Sequence, residues 1–283
     1  MNDVLVIIGA GGMGEAIARR CASGRHVLLA DVDRDLLAQV TERLTGEGLD
    51  VSTHTVDVSS APSVTRLAVA AAERGAVTAA VHTAGLSPVQ APAEAILRVD
   101  LLGVAHFLDA FAGVIAPGGA GVVIASMAGT LSAGRLPVET EAALATTPTD
   151  RLTLLPLFQD EALGDPGTAY ALAKRANQLR VQAASLAWAE RGARVNSISP
   201  GVISTPMGEQ ELAGASGTQM RALLAGAAVP RPGTPGDIAA ATAFLIGPDA
   251  AYVTGTDLLV DGGVVAGVRT GGATARDAAV SGG

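Results

Sequence analysis

The sequence lacks the features of a secreted, membrane-spanning or nucleic-acid-binding protein. Its 283 residues include one cysteine, Cys21, which excludes an internal disulfide and favours a reducing compartment. No hydrophobic run reaches the length of a membrane span, and the apolar start at residues 4–8 has no basic region before it. A net charge of −8 and a pI near 5.0 argue against nucleic-acid or anionic-membrane partners. We therefore expect a cytoplasmic protein.

Aromatic residues are also scarce. They make up 2% of the chain, whereas hydrophobic residues as a whole make up 49%, so the core must consist mainly of Ala, Val, Leu and Ile. The histidines show no metal-ligand spacing, and no metal site is expected from His26, His54, His82 and His106. The length fits one large α/β domain.

Short apolar runs alternate with longer amphipathic segments along the chain. This alternation predicts βαβ units, and hence an α/β fold with one doubly wound parallel sheet covered by helices on both faces. The predicted strands are residues 4–8, 26–30, 51–56, 77–82, 121–125, 194–197 and 257–260. The predicted helices include 15–22, 35–44, 63–73, 94–115, 168–191 and 237–245. We expect one domain over residues 1–263, with an insertion at about 127–167, and a Gly/Ala-rich tail over 264–283 with little to bury.

A glycine-rich turn follows the first predicted strand. Residues 9–14 match G-x-G-x-x-G, in which Gly9 permits the tight turn, Gly11 lets a pyrophosphate approach and Gly14 allows close helix–strand packing. The phosphates would rest on the amides at the helix N-terminus, where Gly12 and Met13 lie. The sequence therefore predicts a Rossmann-type dinucleotide site.

Two aspartates follow the next two strands. Asp31, 22 residues after Gly9, can accept hydrogen bonds from the adenosine ribose, and its charge repels a 2′-phosphate, which favours NAD over NADP. Arg34 lies close enough in sequence to weaken this preference. Asp57 could bind the adenine or cap the next turn. The neighbouring residues expected in the same site are Val32 and Val58.

The only lysine of the chain, Lys174, lies four residues after Tyr170, one of two tyrosines. In a helix these two side chains share a face. The ammonium then favours the phenolate and lowers the tyrosine pKa, as a general acid/base near neutral pH requires. The alternative is a surface tyrosine beside a solvated lysine.

These motifs, taken in order, resemble the short-chain dehydrogenase/reductase family over about residues 4–263. The motifs that carry the resemblance are the glycine turn, Asp57-Val58, His82-Thr83-Ala84-Gly85, Ser126, Tyr170-x-x-x-Lys174, the run from Ser199 to Pro206, and Asp261-Gly262-Gly263. Their order and spacing are more specific than any one of them.

The resemblance implies a role for each position. Tyr170 would exchange a proton with the substrate oxygen, Lys174 would hold the nicotinamide ribose, and Ser126 would orient the substrate oxygen. Other residues would seat the cofactor: Ala84, Gly85, Pro200, Gly201, Val202 and Thr205. As alternatives, Ser126 could be only a helix cap and Thr205 only a turn residue.

The resemblance also implies a homo-oligomer, a dimer or tetramer, assembled through helices 94–115 and 168–191. The small residues of the second helix are compatible with close packing between subunits: Ala173, Ala176, Ala183, Ala184 and Ala187.

The chain departs from the family pattern at several positions. Ile8 replaces a threonine beside a tighter glycine spacing, and His82-Thr83 replaces an asparagine pair. Asp100 replaces the asparagine that anchors a proton path to the lysine, and we include it among the catalytic candidates. It could pair with Lys174 and weaken the lowering of the tyrosine pKa, or carry the relay in another protonation state.

The separation of Ser126 and Tyr170 is unusually long, at 44 residues. An apolar lid formed by the insertion would favour a lipophilic substrate and exclude water. Some bacterial hydroxysteroid dehydrogenases in the family look similar in this respect. The alternative is that the insertion forms a subunit contact.

The sequence thus predicts an NAD-dependent oxidoreductase that interconverts a secondary alcohol and a ketone on a lipophilic or cyclic small molecule. Two alternatives stay open. One is an NADP-dependent 3-oxoacyl reductase, and the other is a weakly catalytic dinucleotide-binding sensor or scaffold, which the substitution at Asp100 would suit.

Overall fold

A computed structural model describes residues 2–214 and 217–271 and shows a seven-stranded sheet in the order β3-β2-β1-β4-β5-β6-β7. All adjacent strands pair in parallel. The strands are β1 Asp3–Ile8, β2 Arg25–Asp31, β3 Val51–Thr55, β4 Ala76–His82, β5 Ile115–Ile124, β6 Arg194–Pro200 and β7 Asp257–Val260. The predicted doubly wound parallel sheet is confirmed.

The helices connect successive strands and cover both faces of the sheet. They are α1 Gly12–Cys21, α2 Arg34–Gly46, α3 Ala61–Arg74, α4 Ala93–Ile96, α5 Gly103–Ala112, α6 Met127–Leu131, α7 Val138–Thr146, α8 Pro166–Ala189, α9 Pro206–Ala213, α10 Gly217–Ala225, α11 Pro235–Ile246 and α12 Val264–Thr270. In the described part of the chain, none of them is both long and apolar enough to cross a membrane.

Two apolar cores lie on opposite faces of the sheet. Along β1, Val6 points into one core and Ile7 into the other, as strand alternation requires. Three of the seven aromatic residues meet on the first face, where the ring of Phe107 lies 5.0 Å from that of Phe111 and 6.0 Å from that of Trp188. The aliphatic core expected from composition is therefore anchored by one aromatic cluster.

The predicted helix 94–115 is present over 93–112, but it is not α-helical throughout. It consists of α4, a π-helix over Leu97–Leu102 and α5, and Ile115 already begins β5. The π-helix contains Asp100, whose backbone carbonyl accepts a 2.9 Å hydrogen bond from Asn177 Nδ2. π-helical turns are rare and occur often at functional sites.

The insertion at 127–167 packs against its own chain. Leu144 and Leu152 are buried in a cluster with Ala173 and Ala176 of α8. An ion pair from Arg175 to Glu141 and hydrogen bonds from Arg180 to the carbonyls of Leu144 and Thr147 hold it there. Ala173 and Ala176 therefore cannot contact a second subunit, which corrects the expectation from their small size.

The expected tail begins as an ordered helix. In α12, Val264 and Val265 are only 1% exposed, and Arg269 donates a hydrogen bond to the carbonyl of Thr130. The expectation that this segment buries little is thus wrong for its first turn, because the apolar pair meets the core. Residues 272–283 lie outside the described part of the chain.

Candidate active site

Four candidate residues from three segments meet in one pocket at the carboxyl edge of the sheet. Asp100 comes from the π-helix, Ser126 follows β5, and Tyr170 and Lys174 lie one turn apart on α8. The same pocket is lined by further expected residues: Met13, Gly85, Pro200, Gly201 and Thr205. The helical stacking of the tyrosine and the lysine is as predicted, with Lys174 Nζ 5.4 Å from the centre of the Tyr170 ring.

Ser126 caps a helix and also faces the tyrosine. Its Oγ accepts a 3.2 Å hydrogen bond from the amide of Ala128 at the start of α6. It also lines the pocket beside Tyr170 and lowers the pKa of the Tyr170 hydroxyl. A helix-capping role and a role in orienting the substrate oxygen are therefore compatible for Ser126, because capping fixes the side chain at the pocket wall.

Asp100 and Lys174 form a buried ion pair. The distance between Asp100 Oδ2 and Lys174 Nζ is 3.1 Å, and their side chains are 0% and 6% exposed. Asp100 Oδ1 accepts a 2.8 Å hydrogen bond from the amide of Leu86. Burial raises the pKa of Asp100, and the nearby ammonium partly offsets this effect. The pKa of Lys174 is also raised, because the attraction of Asp100 and Tyr170 outweighs the opposing effect of burial.

Tyr170 departs from expectation in its pKa. Burial raises the pKa of Tyr170 most, and the charges of Asp100 and Glu211 raise it further. The charge of Lys174 and the interaction with Ser126 lower this pKa. The net shift is upward. The predicted lowering of the tyrosine pKa is therefore wrong for the chain alone, because the sequence shows the neighbouring charge and not the burial.

A second pocket continues from the first along the expected dinucleotide groove. It is lined by expected cofactor residues: Gly9, Gly11, Gly12, Met13, Asp31, Val32, Asp57, Val58, Ala84, Gly85 and Thr205. Two other candidates lie outside both pockets. Gly14 is buried against the carbonyl of Gly9, as close helix packing requires, and Val202 is 4% exposed. The carbonyl of Val202 accepts a hydrogen bond from the amide of Gly233, and its role as a cofactor contact stays a prediction.

The groove fits a dinucleotide at its turn. Gly9 has φ +103°, and a side chain there would collide with Thr83 and Ala84, whereas a Cβ on Gly11 would meet only open space. That open space lies at the N-terminus of α1, where backbone amides can receive a pyrophosphate. Asp31 Oδ2 accepts a 2.7 Å hydrogen bond from the amide of Ala10, which holds the ribose-facing carboxylate against the turn.

The substituted positions beside the groove have local explanations. Thr83 Oγ1 donates to the carbonyls of Ile8 and Gly9, at 3.1 and 2.9 Å, so a hydroxyl makes the connection between β4 and the glycine turn. His82 is fully buried, with its ring 5.4 Å from the ring of Phe107, and burial lowers its pKa to about 3.

The carboxylate of Asp57 accepts hydrogen bonds from both the amide and the hydroxyl of Ser59, so Asp57 caps a turn in the chain alone.

Sequence reasoning missed several residues of the site. Glu211 on α9 lines the catalytic pocket together with Leu86, Ile203 and Met207. The i, i+4 spacing of Met207 and Glu211 could have placed them on one helix face, had α9 been recognised. Gln178 donates to Thr130 and Ser199, at 2.9 and 2.8 Å, and so ties α6 and β6 to α8 behind the pocket.

The insertion does not form the predicted lid. Among the described residues that line the catalytic pocket, none belongs to segment 127–167. Its buried apolar side chains, Leu144 and Leu152, pack instead with residues of α8 in a separate cluster, while Val138 and Leu154 are exposed. The lipophilic character of the pocket must therefore be judged from its own lining.

Comparison with known proteins agrees with this geometry. A family profile described as enoyl-(acyl carrier protein) reductase matches residues 9–142 and 155–265. The chain is 44% identical over 265 residues to the short-chain dehydrogenase/reductase bsc3 of Alternaria brassicicola, covering 94% of this chain and 96% of that one. It is 33% identical over 278 residues to 2-(S)-hydroxypropyl-CoM dehydrogenase 3 of Xanthobacter autotrophicus, covering 94% and 97%.

Among solved structures, the 3-alpha-hydroxysteroid dehydrogenase from Pseudomonas sp. B-0831, complexed with NADH, is similar with a TM-score of 0.76. The identity is 28%, and the match covers 94% of this chain and 98% of that one. The fold, the glycine turn and these matches define an oxidoreductase that uses a nicotinamide dinucleotide. The chain belongs to the short-chain dehydrogenase/reductase family.

Proposed function

We propose that this protein is an NAD-dependent oxidoreductase that interconverts a secondary alcohol and a ketone on a lipophilic, cyclic small molecule. The observation that carries the proposal is the convergence of Ser126, Tyr170 and Lys174 in one pocket at the end of the dinucleotide groove. A phenol, a hydroxyl and an ammonium at one point can move a proton and hold an oxygen atom.

Each residue has a distinct task in this proposal. When bound, the nicotinamide supplies or accepts the hydride at the substrate carbon. The Tyr170 hydroxyl exchanges the proton with the substrate oxygen, which Ser126 orients by a hydrogen bond. Lys174 binds the nicotinamide ribose and opposes the upward pKa shift that burial gives to Tyr170. Asp100 keeps Lys174 charged.

The pocket lining supports a lipophilic substrate. Leu86, Ile203 and Met207 face the same space as Tyr170. The similarity to a hydroxysteroid dehydrogenase over most of both chains also supports a ring-shaped substrate. The prediction of a lipophilic substrate thus stays, with the pocket wall rather than a lid as its basis.

The charges along the groove support NAD. Asp31 presents its carboxylate to the ribose end of the groove, while Arg43, the arginine that lines the groove, is held by Glu15 through bonds of 2.9 and 2.8 Å. Glu15 also accepts from Arg19 at 2.6 Å. A guanidinium neutralised in this way offers little to a 2′-phosphate.

Replacing Asp31 tests the cofactor preference. In Asp31→Ala, we expect the ratio of kcat/KM for NAD to kcat/KM for NADP to fall by at least about tenfold, because the repulsion of the 2′-phosphate is lost. Asp31→Asn removes the charge and keeps the acceptor for the amide of Ala10, so it isolates electrostatics. Asp35→Ala changes an exposed charge on α2 that does not line the groove and is the control. An unchanged ratio in both Asp31 variants would refute the preference.

Turnover tests the function itself. Purified protein is offered NAD with steroid, terpenoid and simple cyclic alcohols, and NADH absorbance is followed, with the matching ketones and NADH in the reverse direction. We expect turnover of at least one cyclic secondary alcohol and less turnover of primary alcohols. If no alcohol or ketone of the panel were turned over although fluorescence showed NADH binding, the proposal would be refuted and the sensor alternative favoured.

The family resemblance supports a cytoplasmic homo-oligomer, a dimer or tetramer, as part of this proposal. Because Ala173 and Ala176 are buried within the chain, a contact through α8 would have to use its other small residues, of which Ala183 and Ala184 are partly exposed and Ala187 is exposed.

A further inference from the structure

The catalytic pocket holds one charged side chain that the proposed chemistry does not use. Among the described residues lining it, the titratable groups are Asp100, Tyr170, Lys174 and Glu211. Asp100 and Lys174 are paired with each other, and Tyr170 is the proton donor and acceptor of the proposed reaction. Glu211 is thus a carboxylate beside the reacting position without an assigned task.

The fold directs Glu211 into the pocket. It lies one helical turn after Met207 on α9, and both residues line the space that contains Tyr170 and Ser126. The charge of Glu211 raises the pKa values of both Tyr170 and Lys174, so the three groups interact electrostatically.

The position of α9 is fixed by polar contacts from the loop after β4. Gln90 Nε2 donates a 3.1 Å hydrogen bond to Gln210 Oε1, next to Glu211, while Gln90 Oε1 accepts one of 3.1 Å from the amide of Ser87. The Ser87 hydroxyl also interacts with the Glu211 carboxylate, although without normal hydrogen-bond geometry. These contacts hold α9 beside the pocket, and no hydrogen bond within the described part of the chain occupies the Glu211 carboxylate, which keeps acceptor positions for a ligand.

A carboxylate in a half-apolar pocket has a consequence for binding. Burial already raises the pKa of Glu211, which reflects the loss of water around it. A substrate that covers this group must either donate a hydrogen bond to it or leave it further desolvated. A substrate hydroxyl or amine can donate the hydrogen bond. A hydrocarbon surface leaves the carboxylate desolvated, and a substrate carboxylate repels it.

We propose that Glu211 determines specificity by selecting cyclic alcohols or ketones that carry a second hydrogen-bond donor, a hydroxyl or an amine, and by rejecting anionic ones. The inference rests on the proposed function and narrows its substrate class. Sites built to bind a substrate hydroxyl discriminate strongly against analogues that lack it, because the polar group of the site is left unpaired.

Cyclohexanol and the 1,2-, 1,3- and 1,4-cyclohexanediols test this inference. With NAD, we expect wild type to show a kcat/KM for the best diol at least about tenfold above that for cyclohexanol, after correction for the two equivalent hydroxyls. In Glu211→Leu this ratio falls to near one, mainly through KM for the diol. Glu211→Gln keeps an acceptor of similar size, so it retains part of the ratio and gains activity on 3-hydroxycyclohexanecarboxylate.

Glu209→Gln is the matched control, since Glu209 is exposed on the same helix and does not line the pocket. A second readout does not need turnover: the same alcohols are titrated into the NADH complex, and their dissociation constants are obtained from cofactor fluorescence, which also shows that each variant is folded. A diol-to-cyclohexanol ratio that agrees within about twofold between wild type and Glu211→Leu in both readouts overturns the inference. Absence of turnover together with a Glu211-dependent binding ratio would overturn the proposed function and leave the Glu211 inference standing.

Discussion

Tyr170→Phe is expected to lower kcat for alcohol oxidation by about 10³–10⁴-fold while the dissociation constant for NADH changes little. The substitution keeps the ring beside Lys174, at 5.4 Å from its Nζ, and removes only the hydroxyl that faces the same pocket as Ser126. The proton of the substrate alcohol then loses the acceptor that the proposed function assigns to it. Steady-state kinetics by NADH absorbance, with cofactor fluorescence for binding, measure both quantities.

The chain offers a matched control for this experiment. Tyr252, the only other tyrosine, is fully exposed, so Tyr252→Phe makes the same chemical change away from the pocket and should leave kcat unaltered. If Tyr170→Phe retained more than about a third of the wild-type kcat, the proton would have to pass through another group, and the assignment of Tyr170 would be wrong.

The second large effect concerns the buried pair of Asp100 and Lys174. In Lys174→Met, we expect the free energy of unfolding to fall by about 3–5 kcal/mol, because Asp100 is left as a fully buried carboxylate without a counter-ion. Turnover should be lost as well, since the proposed function assigns to this ammonium the binding of the ribose and the stabilisation of the phenolate. Urea denaturation followed by circular dichroism measures the first effect.

A double variant separates stability from catalysis. Lys174→Met/Asp100→Asn removes the uncompensated charge and keeps an acceptor for the amide of Leu86, so most of the lost stability should return while activity stays absent. Arg231→Gln breaks an exposed ion pair with Asp237 and should change the free energy of unfolding far less. If Lys174→Met were as stable as wild type, Lys174 would not be stabilising the buried charge of Asp100, and the expectation would be wrong.

Much of the fold could be predicted because its signals are local. The seven apolar runs correspond to seven strands, and β7 has the predicted bounds. The glycine turn and the pair of Tyr170 and Lys174 consist of residues close in sequence. A tight turn or a helix fixes the relative positions of such residues. The helix predicted over 94–115 is present over 93–112, but its π-helical part and its earlier end were not predicted, because neither leaves a clear trace in hydrophobic periodicity.

The less predictable features depend on residues far apart in sequence. The insertion was expected near the active site since it joins Ser126 to Tyr170, but Leu144 and Leu152 find their apolar surface on α8 instead. Likewise, the upward pKa shift of Tyr170 results from burial by several elements, while the sequence shows only the lysine beside it.

The class of fold, the place of the dinucleotide turn and the stacking of the tyrosine on the lysine follow from local patterns, because periodicity and spacing fix which side chains share a face. The pairing of Asp100 with Lys174, the absence of the insertion from the described pocket lining and the presence of Glu211 in it follow from the packing of distant segments. These contacts join residues far apart in sequence, and they are set by the close packing of the whole chain.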